Sequence, residues 1–304
     1  MPELPEVQTI VDTLRPGLLH RQIVGLPSLR PDIVTPPDLD LKSQLVGRSV
    51  TDVTRRGKRI VFTLDDGNRF YINLGMSGRL TLETEDALVQ KHTHIIMLLG
   101  DETKFRMMND ECRMKTRKGT KRQTALPHSS FIVQASSLRF RDPRRFGGIW
   151  WLGQNSPAGD MGPEPLLIRP AQLMRRLART TRAIKNVLLD QTVLAGIGNI
   201  YADESLFLAR IHPLIPAEQL THAEVKRLTR AIKLTLRRAL RHRGSTLRDY
   251  VDADGVKGAY QKQHRVYDQK GRPCHNCKTP IARIVLGGRS THFCPNCQRE
   301  RIKI

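Results

Sequence analysis

The chain has 304 residues, 39% of them hydrophobic, enough to bury a substantial core in two or three units rather than one. Lys and Arg total 51 against 29 Asp and Glu, and the resulting net charge of +22 is spread along the whole length, which calls for a polyanionic partner. No apolar run approaches the ~18 residues of a membrane span and no secretory leader opens the chain, so a soluble, cytoplasmic protein with no membrane attachment is expected.

The chain opens Met1-Pro2-Glu3-Leu4-Pro5-Glu6. Trimming of Met1 would expose a secondary amine on Pro2. An α-amino group titrates near ~7.7–8.0 against ~10.4 for lysine, so a useful fraction is neutral and nucleophilic at cellular pH. Attack on a sugar carbon would give an iminium ion that promotes β-elimination, and Glu3 beside it could move the protons. Read alone, the six residues favour a plainer meaning, a Pro-rich terminal tail. Only the rest of the chain reverses that.

Val7, Ile10, Val11 and Leu14 have helical spacing up to Pro16-Gly17. From about Ile23 the pattern turns to β, with strands expected at Arg59–Leu64, Phe70–Leu74, Arg79–Leu82, His94–Leu99, 131–135, Leu138–Arg141 and Ile149–Leu152. Many short strands with Gly, Pro and Asp between them imply an antiparallel β-sandwich flanked by helices, within an α+β chain. The run Arg113–Arg122 carries six cations in ten residues, inside an insertion at about 101–130. It reads as a solvated loop or as an arm touching DNA phosphates. The expected organisation is a sandwich over 1–152, a Pro/Gly-rich linker over 153–169, a helical domain over 170–265 and a cysteine module over 266–304.

In the helical domain, Thr221-His-Ala-Glu224 is a capping box followed by an apolar stripe from Val225 to Ala239. The opposite face carries Lys226, Arg227, Arg230, Lys233, Arg237, Arg238 and Arg241, a solvated face or a nucleic-acid contact. Of five cysteines, Cys112 stands alone. Cys274-x2-Cys277 and Cys294-x2-Cys297, sixteen residues apart, fit a four-thiolate structural zinc, with disulfides or iron as alternatives. Arg283, Arg289 and His292 lie between the pairs, where the metal would hold them toward phosphate. Gly196-Ile-Gly198-Asn199-Ile-Tyr201 lacks the third glycine of a dinucleotide loop, so no nucleotide cofactor is expected. It suggests a turn whose N–H groups and Asn199 face a phosphate. Asp142-Pro-Arg-Arg-Phe-Gly-Gly148 sets Arg144 beside Phe146. Met76, between glycines in Leu74-Gly-Met-Ser-Gly78, projects oddly for a core residue.

Taken together, Pro2–Glu6, Arg56-Gly-Lys58, Leu74–Gly78, Asp142–Gly147, Gly196–Ser205 and the cysteine pairs ending at Gln298 resemble, in order and over nearly the whole chain, the formamidopyrimidine-DNA glycosylases. The resemblance implies a helix-two-turn-helix (H2TH) domain with a zinc-finger hairpin, and damaged double-stranded DNA across the cleft between the domains. It implies base excision repair of oxidised purines, 8-oxoguanine and formamidopyrimidines, with strand cleavage by β,δ-elimination. Pro2 would attack C1′, Glu3 would handle protons, and Lys58 would contact phosphate and assist base loss. Arg289, grouped with these, and Asn199 would pinch the flanking phosphates. Met76, Arg144 and Phe146 would fill the gap left by the flipped base, Lys185 and Tyr201 would belong to the DNA-binding set, and Thr246–His264 would close over the base. One structural zinc and a monomeric, bacterial, nucleoid-associated protein complete the expectation.

Two departures stand out. Gln8 replaces the usual glutamate, and the stretch from His94 to Phe140 is longer than the family's hairpin. The alternatives are an endonuclease VIII-like enzyme for oxidised pyrimidines, against which Leu4 argues because that branch usually has glycine there, and a non-catalytic zinc-ribbon DNA-binding protein, which would need no N-terminal amine.

Overall fold

The computed structural model describes residues 2–84, 86–101, 136–154, 161–247 and 250–300. The basic run Arg113–Arg122, the strand expected at 131–135 and Cys112 lie outside the described residues.

The first helix, α1 (Leu4–Leu18), starts three residues earlier than its apolar periodicity suggested. Pro5 sits in its first turn, where a missing N–H costs nothing, and Pro16 is carried in its last turns. Strands β1 (Arg21–Leu29), β7 (Thr93–Asp101), β8 (Ser136–Arg141) and β6 (Arg79–Thr84) form one sheet in that order. The second sheet runs β2 (Val34–Thr35), β9 (Gly148–Gly153), β5 (Arg69–Asn73), β4 (Arg59–Leu64), β3 (Val50–Arg56). All pairings in these sheets are antiparallel except the short β2–β9 pair. Alternate residues of both sheets, among them Ile60, Phe62, Phe70, Ile72, Leu138 and Phe140, meet in one core. A short helix α2 (Leu41–Leu45) lies beside β1.

The second core belongs to helices α3 (Pro170–Leu177), α4 (Ile184–Leu189), α5 (Asn199–Ala209) and α6 (His222–Arg241). The capping box closes as expected, with the Glu224 N–H donating to Thr221 Oγ1. Hairpin β10 (Ala282–Leu286) and β11 (Arg289–Phe293) rests on α5.

Helix α1 joins the two cores. Leu4 is buried with the helical cluster, whereas Val7, Ile10, Val11, Leu14 and Leu18 are buried in the sandwich. The first residues of the chain are thereby fixed at the junction. Glu164, within the stretch expected as linker, is fixed too: it accepts from Arg55, Arg56 and the Gly57 N–H at 2.6–2.9 Å. Although burial pushes its carboxyl up, the two guanidiniums hold Glu164 below its ordinary range. A composition that reads as loose linker therefore includes an anchor for the β3–β4 turn.

Candidate active site and nucleic-acid cleft

Between the sandwich and the helices lies a cavity of about 470 Å³, lined by Pro2, Glu6, Met76, Arg144, Tyr250 and Ser290 among others. Its floor is the start of α1. The Glu3 carboxylate is buried against the first turn of α5, accepting from the N–H groups of Gly198 (2.7 Å), Ile200 (2.9 Å) and Tyr201 (3.4 Å). A helix N-terminus is a natural seat for an anion. The N–H groups expected to face a phosphate are thus taken by Glu3. Gly198 is glycine for a steric reason: a Cβ there would stand 2.4 Å from Glu3 Cδ. Burial pushes the Glu3 carboxyl up, against the opposing pull of Lys58 and the three N–H donors.

Lys58 occupies the Gly57-Lys58 turn between β3 and β4, the turn held by Glu164. Burial lowers its pKa from the ordinary lysine value; Glu3 raises it and Arg289 lowers it further. These couplings place the α1 start, the β-turn lysine and the hairpin arginine around one point. Glu3, Lys58 and Arg289, far apart in sequence, are brought together, and Pro2 adjoins Glu3 in the chain.

Glu6 belongs to the same point, and nothing in its position in the sequence marked it beyond the leader motif. Its Oε2 accepts from the Glu3 N–H at 2.8 Å, and its Oε1 accepts from Tyr201 Oη–H at 2.5 Å and the Ser245 N–H at 2.7 Å. Burial and the nearby Glu3 raise its pKa to about 7. Tyr250, also lining the cavity, donates to the Glu6 carbonyl oxygen at 3.3 Å.

Three residues expected to probe the gap form one projection. Met76 is 45% and Phe146 55% exposed, and the Arg144 guanidinium lies 4.9 Å over the Phe146 ring. The buried Asp142 binds the two loops into a unit: it accepts from Ser77 Oγ–H at 2.6 Å, from the Arg144 N–H at 3.2 Å and from the Gly147 N–H at 2.8 Å. Gly75 has φ +58 and its missing Cβ leaves room for the Phe146 backbone, 2.5 Å from where a Cβ would stand.

Two residues expected to bind DNA are buried. Lys185 is 0% exposed. Its ammonium lies 2.6 Å from Asp203 Oδ1 and donates to the Ser290 carbonyl oxygen and Thr291 Oγ1 at 2.7 and 2.8 Å. It ties α4 to α5 and the hairpin and positions Arg289 from behind. Tyr201, also 0% exposed, spends its hydroxyl on Glu6. His292 is buried, its backbone N–H donating to Asp203 Oδ2 at 2.9 Å and its ring Nδ1 3.3 Å from the same oxygen, while it lines the cavity with Arg283. A charged or polar residue type gives no sign from sequence that its partners are buried with it. Asn199 stays at the junction, its Nδ2 donating to Ser290 Oγ at 3.4 Å.

The Sγ atoms of Cys274, Cys277, Cys294 and Cys297 all lie within 4.8 Å of one another. Separations of 3.4, 3.5 and 3.9 Å exclude disulfides and approach the ~3.8 Å edge of a tetrahedron with Zn–S of ~2.3 Å. The donor set fits one structural zinc. It would fold a module whose buried core, among the described residues, contains besides cysteines Val266 and Ile281, with Phe207 of α5 packed on them.

Comparison with known proteins agrees with this geometry. The model of the formamidopyrimidine-DNA glycosylase N-terminal domain matches residues 1–117, that of the formamidopyrimidine-DNA glycosylase H2TH domain residues 161–251, and that of the zinc finger found in FPG and IleRS residues 271–299. The formamidopyrimidine-DNA glycosylase of Chloroflexus aggregans is 40% identical over 304 residues, 98% of each chain. That of Herpetosiphon aurantiacus is 38% identical over 306 residues, covering 98% of this chain and 100% of the relative. A Lactococcus lactis FPG mutant in complex with Fapy-dG containing DNA superposes with a TM-score of 0.82 at 31% identity, covering 98% of this chain and all of that one. The Thermus thermophilus FPG protein gives 0.79 at 35% identity, covering 99% and 100%. With the sandwich, the H2TH element, the thiolate finger and the Pro2-Glu3 junction all in place over its full length, the chain belongs to the formamidopyrimidine-DNA glycosylase family.

Proposed function

We propose that the chain is a bifunctional DNA glycosylase and abasic-site lyase of base excision repair, acting as a monomer on formamidopyrimidines and 8-oxoguanine in duplex DNA. The observation that carries this is the Glu3 carboxylate, buried on the first turn of α5 beside Pro2 and coupled to Lys58. A protein that only bound DNA would have no use for a buried proton carrier next to an N-terminal imino acid.

Once Met1 is removed, the Pro2 nitrogen is a free secondary amine at the cavity wall. It attacks C1′ of the extruded nucleotide. The glycosidic bond breaks and the purine leaves with a proton. Glu3, whose carboxyl is raised by burial, supplies a proton to the sugar oxygen as the ring opens to the iminium. Loss of the C2′ proton then expels the 3′ phosphate, and a further elimination expels the 5′ phosphate. Water hydrolyses the iminium and frees Pro2. Lys58, Asn199 and Arg289 hold the flanking phosphates, and Met76, Arg144 and Phe146 fill the vacated stack. In this reading the division at 152, 169 and 265 separates sandwich, linker, helical domain and finger, and the enzyme works on the bacterial nucleoid. Zinc takes no part in the chemistry; it holds the hairpin that carries Arg289.

The test is chromatographic detection of the base released from duplexes carrying formamidopyrimidine, 8-oxoguanine or thymine glycol. Purine lesions should be released much faster. Preferential release of thymine glycol would move the chain to the pyrimidine branch, and binding without any release would remove it from enzymes altogether.

A further inference from the structure

Away from the lesion cleft, at the far end of α5, is a larger cavity of about 740 Å³ that the mechanism does not use. Its wall contains Arg210, Arg238, Arg241 and Arg265, with His242 and His275. Helix α5 is about 16 Å long at 1.5 Å per residue. Its first turn seats Glu3, and its last turn, through Phe207 and Leu208, lines this cavity with Arg210 just beyond. The one carboxylate in the lining, Glu204, is spent inward: it accepts from the N–H groups of Arg265, Val266 and Tyr267 at 2.9–3.0 Å.

The cavity is continuous with the cationic face of α6. At 100° per residue, Lys226, Arg227, Arg230, Lys233, Arg237, Arg238 and Arg241 fall within an arc of about 140°, and Arg238 and Arg241 belong to both the arc and the cavity wall. Arg227 reaches across to the other side, donating to the Ala209 carbonyl oxygen at 3.4 Å. Among the described residues, none of the seven pairs with a carboxylate, and from Val225 to Arg241 the helix has no acidic residue at all. A merely solvated face mixes both signs. Here like charges stand at i, i+3 and i, i+4 in six pairs, each destabilising unless an anion lies over them. No residue of α6 lines the lesion cavity.

We propose that the α6 face and the arginine-lined cavity are a second DNA-binding site, which takes the phosphate backbone of an undamaged segment, independently of sequence, while the cleft holds the lesion. The row is about 24 Å long over Lys226–Arg241, the reach of several successive phosphates, whereas a small phosphorylated ligand would need only the cavity. Holding two segments lets the enzyme pass from one to another without full release.

The experiment loads the full-length zinc-bound protein with a short duplex carrying a tetrahydrofuran abasic analogue, then titrates a fluorescent undamaged duplex and follows anisotropy and complex mass. A complex of one protein with two duplexes is expected. The variant Arg230→Ala, Lys233→Ala, Arg238→Ala, Arg241→Ala should weaken the second duplex at least about tenfold and flatten its log K against log salt slope by about two to three, at ~0.9 per phosphate. Alanine is the best helix former, and Arg230, Arg238 and Arg241 are exposed and Lys233 half-buried, so these changes keep α6 folded. Replacing the three arginines with lysine should retain binding, since a point charge suffices for phosphate. Single-turnover cleavage of a short lesion duplex should be unchanged in all variants. Failure of the loaded protein to take a second duplex at low salt, equal binding by the alanine variant, or displacement of the second duplex by stoichiometric nucleoside triphosphate bound in the cavity would each overturn the proposal.

Discussion

The Gly198 N–H donates to Glu3 Oε2 at 2.7 Å, so the carboxylate of the residue that caps α1 is seated on the first turn of a helix from the second core. Domain placement and catalytic geometry are therefore one property in this chain. A Cβ at position 198 would stand 2.4 Å from Glu3 Cδ and push the carboxylate off its seat. Gly198→Ala should lower the single-turnover rate of base excision on the order of 100-fold, the scale of a displacement near 1 Å, while duplex affinity changes little. Rapid-quench kinetics at saturating enzyme check this.

Lys185 is the counter-case, a cation whose ammonium is held by Asp203, Ser290 and Thr291. Removing one partner of a buried pair leaves an uncompensated charge and costs about 3–5 kcal/mol. Lys185→Met should destabilise by that order in urea denaturation, because Asp203 loses its cationic partner at 0% side-chain exposure. The salt dependence of DNA binding by the variant that remains folded should keep its slope. A slope reduced by about one would return Lys185 to the phosphate contacts.

The contrast between these residues explains what was legible in the sequence. Thiolate spacing, the capping box at Thr221 and alternating strands such as Arg59–Leu64 are local patterns, and each is present as read. Met76 was legible because flanking glycines do not suit a core position. Glu6, Glu164 and Asp142 were not, since their partners lie as far as 239, 109 and 65 residues away and only the fold brings them near. For Lys185 and Tyr201 the motif marked the positions but not their burial, which depends on Asp203 and Glu6 being buried beside them.

The finger should depend on its metal. Cys294→Ser removes one thiolate from the four, so bound zinc should fall from one per chain to near zero by a colorimetric assay. Duplex binding should fall at least about tenfold as Arg289 loses its hairpin. The far-ultraviolet signal of the sandwich and helices should persist, because their two cores share no residue with the cluster around Phe207 and Cys294.

Glu6 should impose a pH dependence on stability. Its folded pKa of about 7 is above the ordinary 4.5 of glutamate, so the native state holds the proton more tightly than the unfolded chain. Stability is therefore highest below about 4.5 as far as this group is concerned. It falls as pH rises from about 4.5 to 7 and is flat above, with a total loss of roughly 3 kcal/mol at ~1.4 kcal/mol per unit. Glu6→Gln should lack this component. Denaturation curves at pH 5 and pH 8 should differ less in the variant than in the parent, and an equal difference would show that Glu6 ionises normally.

The central claim is that the Pro2 amine is the nucleophile. Borohydride reduction of the working enzyme on an 8-oxoguanine:cytosine duplex should yield a covalent protein–DNA adduct whose peptide map places the strand remnant on Pro2. The same chain with Met1 retained should give none. An adduct of equal yield with the amine blocked, mapped to a lysine such as Lys58, would contradict the account.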